Sequence, residues 1–528
     1  MDHVVMLTWS TWLLAFLPIL ILLSTIIFFR WGAPKAGAVS WFAAIAISVF
    51  VFGADARLLA LANSKGLSLS LYVLLIIWSA VFLYNIVESI GAIKVIGNNM
   101  AKVTDDRLMQ CLLMSWCFSA VMQGIAGFGV PIAVVAPIMV VMRFSPAVAA
   151  ATCLIGHSWA VTFGSMGTGY YTIQLITKIP GAVFAPWMAI LFVVPIVTTG
   201  FAVAHIYGGF RAVKRGAPAI ILTSAVMGFA CWLMTKIGAA QLASLIPALL
   251  GCGTMALMAR TGLYRGTATN QAALQADAPR GLGFNLAFSP YYILILVSIA
   301  SQFKSISKIF APYAFGLDYP AVQTSMHFAV KAERMYSRIV ISHPAPLLII
   351  AAILSFVVFR AAGRWKQGTA AKAFKTTLSQ CIPTSVGIIT MVLMALVMVD
   401  SGMTFLLAQG MAKATGKLFP LASPFIGVLG AFLTGSGASS NVMFAALQVE
   451  TAKVLGISTV VIASAQAVGG SVGGAIAPAK VLLSATLVGL DGGENEVMNK
   501  TLPYCIGVTL CTGIAAWTFC YILFRSLQ

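Results

Sequence analysis

Two polar interruptions in otherwise apolar sequence hold the residues best suited to chemistry. The first is Gln123-Gly124-Ile125-Ala126-Gly127-Phe128-Gly129-Val130-Pro131. A helix resuming after Gly129 and Pro131 aims its positive end at the break, beside free backbone N–H groups and the Gln123 amide. That suits an anion such as a carboxylate. The plainer reading is that the glycines only let helices pack closely. The second interruption is Thr434-Gly435-Ser436-Gly437-Ala438-Ser439-Ser440-Asn441. Its carbonyls and hydroxyls, with Asn441, can hold a cation or a carboxylate. Ser440 or Asn441 can equally cap the returning helix.

A Gly-rich polar crossing follows each interruption. Gly156-His157-Ser158-Trp159 runs on to Thr162-Phe163-Gly164-Ser165-Met166-Gly167-Thr168-Gly169. Ser464-Ala465-Gln466 runs on to Gly469-Gly470-Ser471-Val472-Gly473-Gly474 and Pro478-Ala479-Lys480. Both read as unwound crossings that complete a site. His157 is the one histidine placed well inside a crossing; it is either a ligand or proton carrier, or a hydrogen-bonded core residue. Ionisable groups at a helix centre in a bilayer cost about 2.5 to 3.5 kcal/mol and are functional candidates by default. Lys480 is the candidate partner of an anionic substrate. Asp400 and Glu88, near symmetry-equivalent helix ends, are coupling candidates beside His157, or else solvated end-of-helix charges.

The residues expected to line a substrate site are therefore Gln123, Gly124, Gly127, Phe128, Gly129, His157, Ser158, Ser436, Ser439, Ser440, Asn441 and Lys480. The sequence has no GxxxxGK[ST], HExxH or GxSxG motif and no metal-spaced His/Cys cluster. This argues against a primary pump within the chain and against an enzyme, and no metal or other cofactor is expected.

The elements that must carry these residues are membrane helices. Of 528 residues, 60% are apolar and 9% charged, against roughly 25% charged in soluble domains. The mean hydropathy is +0.97. The formal charge of +19 sits in short loops, as the positive-inside bias requires; it points to membrane lipid and a small organic anion rather than nucleic acid. The nine cysteines fall in apolar runs without a CxxC and read as small buried hydrophobes. The first apolar run lacks a basic leader and is long enough to span, so no cleavable signal peptide is expected.

Crossings are expected at about 5–29, 37–54, 69–91, 147–168, 181–207, 218–236, 238–258, 285–303, 344–360, 376–399, 459–488 and 502–524. Regions 108–142 and 418–457 read as re-entrant hairpins, since broken backbone at membrane depth must be covered by protein or a watery cavity. Arg30 and Lys35, Arg211 to Arg215, Arg260 to Arg280 and Arg360 to Lys375 all fall in the cytoplasm if both termini are outside. The stretch 304–343, with Lys304, Lys308, Lys331, Arg334 and Arg338, is the exception, and part of it reads as an interfacial helix. The plan is an all-α integral membrane protein with about 12 transmembrane helices and two re-entrant hairpins. It divides into a first repeat at 1–210, a connecting pair and loop at 211–284, and a second repeat of inverted topology at 285–528. That is the plan of many secondary transporters.

The motifs Gly124 to Pro131, Phe163 to Gly167, Leu433 to Ser436 with Ser440-Asn441, and Val468 to Gly470 resemble the L-lactate permeases, which include glycolate permeases. Ser423-Pro424-Phe425 also looks like that family. The resemblance spans nearly the whole chain. It implies a symporter of the bacterial inner membrane that imports L-lactate, D-lactate or glycolate with protons. It also implies an elevator-type, often dimeric, arrangement. This sequence has Gln123 where the family usually has Glu, Gly437 for Asp, Gly474 for Lys and His157 for Asn, with a lysine six positions on at Lys480. Loss of two hairpin acids points to the alternative of a sodium-coupled or exchange carrier for another small organic anion. A channel is the rival of another class.

Overall fold

The computed structural model describes residues 5–523 apart from 128, 265–280, 304, 307, 309–310 and 491. Phe128, Arg265, Arg280 and Lys304 thus lie outside the described residues. Among the described residues, eleven helices are long and apolar enough to cross a membrane, or twelve if one bent pair counts as a single span.

The chain opens with α1 (Trp9–Ile27), α2 (Ala33–Phe50) and α3 (Ala56–Ser89). Asp55 starts α3 by accepting the Leu58 N–H at 2.7 Å, an N-cap that satisfies an otherwise orphaned donor. α3 begins 13 residues before the apolar run expected at 69, because the cap and long apolar stripe outweigh Arg57 and Lys65. At 34 residues it is about 50 Å long, well beyond a hydrocarbon core of about 30 Å. A short helix α4 (Ala92–Ala101) follows the left-handed Gly91.

The first interruption separates α5 (Arg107–Ile125) from α6 (Val130–Val141). Arg107, at the start of α5, donates to the carbonyls of Met142 and Arg143 at the end of α6, at 2.6 and 3.0 Å. The two arms therefore close at one end into a hairpin. The expected crossing at 147–168 is instead α7 (Pro146–Gly156) and α8 (Gly164–Thr177), bent by 52°. Next comes α9 (Gly181–Lys236), interrupted at Gly208 and Gly209, then α10 (Leu245–Ala259) and α11 (Phe284–Ala300).

The stretch 304–343 carries four short strands between 315 and 339. β1 (Phe315–Tyr319), β2 (Val322–Gln323), β3 (Ala329–Val330) and β4 (Glu333–Ile339) pair antiparallel, β1 with β4 and β2 with β3. The Tyr319 hydroxyl docks this hairpin on α3 through Ser64 and Ser68, at 3.1 and 2.7 Å. After it come α12 (Pro344–Ala361), α13 (Thr369–Asp400) and a further short helix, α14 (Met403–Thr415). The second interruption separates α15 (Phe419–Thr434) from α16 (Gly437–Leu455). The expected crossing at 459–488 breaks at a 3₁₀ turn into α17 (Thr459–Gly473) and α18 (Pro478–Leu487), and α19 (Glu494–Thr518) follows.

α3 and α13 lie antiparallel. Asn85 meets Thr377 and Gln380 near one end, Trp78 donates to Ser385 at 2.9 Å, and Lys65 reaches Asp400 near the other. Lys65 is 1% exposed and its Nζ stands 3.1 Å from Asp400 and 3.0 Å from Glu333. The same Glu333 oxygen accepts from Lys178, just after α8, at 2.8 Å. This cluster joins α3, α13, β4 and the end of α8.

Removing one partner of a buried pair strands the other, at about 3–5 kcal/mol. Asp400→Ala is therefore expected to lower Tm strongly in detergent, with Asp400→Asn intermediate. Glu333 lies in the strand hairpin. Burial alone would raise its carboxyl, but the hydrogen bond and charge of Lys178, with Lys65, hold it below the usual carboxylate value. Its stabilisation is complete above the unfolded pKa, about 4.3, and fades as pH falls through the lower folded value. Glu333→Gln should lower Tm at pH 7, and the difference from the natural protein should shrink in unfolding scans carried towards pH 3.

Candidate functional site

A cavity of about 380 Å³ lies where the two hairpin tips meet α3, α13 and α18. The first tip contributes Ala126, Gly127, Gly129 and Val130, and the second Thr434 and Gly435. Ala479, Lys480 and Leu483 come from α18; Ile77, Val81 and Tyr84 from α3; and Gln380, Cys381 and Thr384 from α13. These α3 and α13 residues belong to the end away from the Lys65 cluster. A larger cavity of about 970 Å³ adjoins, sharing Thr434, Gly435 and Ala479 and reaching Arg30 and Glu494.

Both tips need residues without a side chain. Gly129 has φ +86° and Gly435 has φ +71°, a region that glycine enters freely and most L-residues avoid. Gly129 caps the start of α6, so that helix begins at the cavity wall. α18 also begins there, with Pro478 in its first turn. Two helix N-termini thus present their positive ends to the space.

Lys480 brings its amino group to the same space. Among the described residues its side chain makes no hydrogen bond or ion pair. Its Nζ stands 3.0 Å from where a Cβ on Gly474 would sit. The ammonium therefore lies beside the backbone of Gly474.

The first tip is locked from behind. Ser165, Met166 and Gly167 all take left-handed conformations, with φ of 47°, 57° and 78°. For the two non-glycine residues this costs roughly 1–2 kcal/mol each. It points the Ser165 hydroxyl at Gly127, whose N–H donates to it at 2.7 Å. Gln123 is buried behind the tip, and a Cβ on Gly164 or Gly127 would fall 2.8 or 3.1 Å from its Nε2. The two broken crossings also bind each other: Thr162 N–H donates to Ser471 Oγ at 2.9 Å, and Thr162 Oγ1 donates to the Ala467 carbonyl at 2.9 Å.

The expected site residues divide into three groups. Gly127, Gly129 and Lys480 line the cavity. Gln123, Gly124, His157, Ser158, Ser436, Ser439, Ser440 and Asn441 do not line it. Gly124 is a packing glycine, since a Cβ there would meet Leu245 Cα at 2.9 Å. His157 Nδ1 donates to the Cys153 carbonyl, and Ser158 Oγ donates to that of Ile155. Ser436 caps α16 by accepting the Ser439 N–H at 3.3 Å.

Ser440 and Asn441 belong to a buried polar chain. Ser423 and Gln448 bond each other, Gln448 donates to Gln466, and Gln466 donates to Ser440 and Asn441 at 3.0 and 3.3 Å. Asn441 then donates to the Gly169 carbonyl at 3.1 Å. Asp400 sits in the Lys65 cluster, and Glu88 is exposed one turn beyond Tyr84. Neither lines the cavity. The third group, Phe128, lies outside the described residues.

Sequence reasoning missed Tyr84, Gln380 and Thr384 on the cavity wall, and Lys65, Lys178 and Glu333 in the ion cluster. The signal for Lys65 was present: a lysine four residues before the apolar run expected at 69, ten residues after an Asp cap.

The helices define a multi-pass membrane protein with a cavity at its two hairpin tips. The sequence matches the L-lactate permease family over residues 11–523. The chain belongs to that family, and is accordingly a permease and not an enzyme. The L-lactate permease of Escherichia coli strain K12 is 28% identical over 546 residues, covering 98% of this chain and 97% of its own length. The glycolate permease GlcA of the same organism is 27% identical over 550 residues, covering 97% and 96%. Among solved structures, the Alcanivorax borkumensis YdaH transporter aligns with a TM-score of 0.46 at 15% identity, covering 84% of each chain.

Ser165→Ala removes the acceptor of a buried N–H, a loss of about 1–3 kcal/mol. The variant should show a lowered Tm, and its first tip should exchange amide hydrogen at Gly127 faster than the natural protein does.

Proposed function

We propose that this permease imports a small 2-hydroxymonocarboxylate, L-lactate, D-lactate or glycolate, by proton symport. The observation that carries the reading is Lys480: an ammonium without a side-chain partner among the described residues, at the start of α18, in a cavity also faced by the start of α6. A carboxylate there would gain a charge-assisted hydrogen bond and the field of two helix ends. The names of the similar permeases, for L-lactate and for glycolate, supply the substrate class.

Alternating access would come from moving the hairpin-bearing elements against α3 and α13, with 1–210 and 285–528 acting as inverted repeats and both termini outside. His157, Asp400 and Glu88 are the candidates for carrying the coupled proton. Among the described residues that line the cavity, none is acidic. That observation favours a second reading, a sodium-coupled or exchange carrier for another small organic anion.

The test is uptake of labelled L-lactate and glycolate into proteoliposomes under an imposed pH gradient and, separately, a sodium gradient. The pH gradient alone is expected to drive uptake; uptake under sodium alone would favour the second reading. Lys480→Ala should raise the apparent KM by between about tenfold and a hundredfold, the equivalent of one charged hydrogen bond. Unchanged kinetics would remove Lys480 from the site.

A further inference from the structure

Gln380 reaches the cavity from α13, and its amide is held in one orientation by a chain of hydrogen bonds. The chain starts at Thr377, whose Oγ1 donates to the Ala373 carbonyl at 2.8 Å. A hydroxyl has one proton to give, so the contact between Thr377 Oγ1 and Asn85 has Asn85 as donor. The Asn85 Nδ2 to Thr377 Oγ1 distance is 3.0 Å. The same Nδ2 stands 3.0 Å from the side chain of Gln380. A donating amino group requires an acceptor opposite, so the Gln380 atom there is Oε1. Its Nε2 is then the polar atom left for the cavity. Among the described residues that amino group has no partner.

Asn85 is buried, 5% exposed, on α3, and Gln380 is exposed to the cavity. The buried residue thus fixes the exposed one. We infer that Gln380 reads the 2-hydroxyl of the substrate, donating from Nε2 to the hydroxyl oxygen while Lys480 takes the carboxylate, and that Asn85 is its positioning residue. The inference rests on the proposed function and extends it. Lys480 recognises any small carboxylate; Gln380 separates 2-hydroxy acids from unsubstituted ones. An unsubstituted acid leaves the Nε2 donors unpaired, and a site built to bond a substrate hydroxyl rejects analogues that lack it.

The experiment measures uptake of labelled lactate and labelled propionate by the full-length protein in proteoliposomes, each competed by the other. The natural protein should prefer lactate. Gln380→Leu keeps most of the side-chain volume, and should lower the lactate-to-propionate preference about tenfold or more while propionate uptake persists. Asn85→Leu frees the Gln380 amide and should lower the preference by a smaller factor. Mere loosening of α3 against α13 would slow both solutes together and leave the ratio in place.

Lactate uptake with an unmoved ratio in Gln380→Leu would overturn this inference and leave the proposed function standing. Uptake of neither acid by the natural protein would overturn the proposed function itself. Should Gln380→Leu fold but fail to transport, equilibrium binding of labelled lactate in detergent, competed by propionate, reads the same ratio. Equal loss of binding for both acids would make Gln380 a general anion ligand and overturn its assignment to the hydroxyl.

Discussion

Backbone N–H and C=O groups cannot be left unpaired inside a bilayer, where each orphan costs several kcal/mol. This protein breaks its helices at two hairpin tips and two crossings, and the same breaks supply each other's partners. Gly127 donates to Ser165, Thr162 donates to Ser471 and Ala467, and Asn441 donates to the Gly169 carbonyl. The glycines bring these segments near enough to bond. A Cβ on Gly156 would fall 1.9 Å from the Ser115 carbonyl oxygen, and one on Gly469 would fall 1.9 Å from that of Pro424. Close approach of backbones, and satisfaction of what the breaks expose, are therefore one requirement met by one set of residues.

The charges are distributed on the same logic. Lys65, Asp400, Glu333 and Lys178 neutralise each other at one end of α3 and α13. Near the other end Lys480 has no counterion among the described residues and lies beside a cavity. A paired cluster ties elements together, whereas an unpaired ammonium invites an anion from outside the protein. Lys65 is buried and paired, whereas Lys480 is half-buried with no side-chain partner among the described residues.

Much of this was legible in the sequence, and the omissions have physical reasons. Gly and Pro act on the backbone locally, so both interruptions, and Lys480 after the second Gly-rich crossing, could be read directly. Hydroxyl and amide side chains are different, because their role depends on distant partners. Ser440 and Asn441 look like ligands in sequence, yet they bond Gln466, 26 and 25 residues away. Gln380 looked like an ordinary polar residue on a helix until Asn85, 295 residues earlier, was found to orient it. Lys65 was lost because hydropathy began α3 too late, and Glu333 because short paired strands in a charged loop carry little periodic signal.

Lys65 has one more consequence, which concerns the order of synthesis. Its carboxylate partner Asp400 lies 335 residues further along the chain. At roughly 5–20 residues per second, α3 leaves the ribosome on the order of 20 to 70 s before Asp400 exists. A lysine that is 1% exposed in the finished protein must spend that interval without Asp400. Its flexible stem can carry the ammonium to the membrane surface meanwhile. The ion cluster around Lys65 is therefore complete only once the second half of the chain has supplied Glu333 and Asp400.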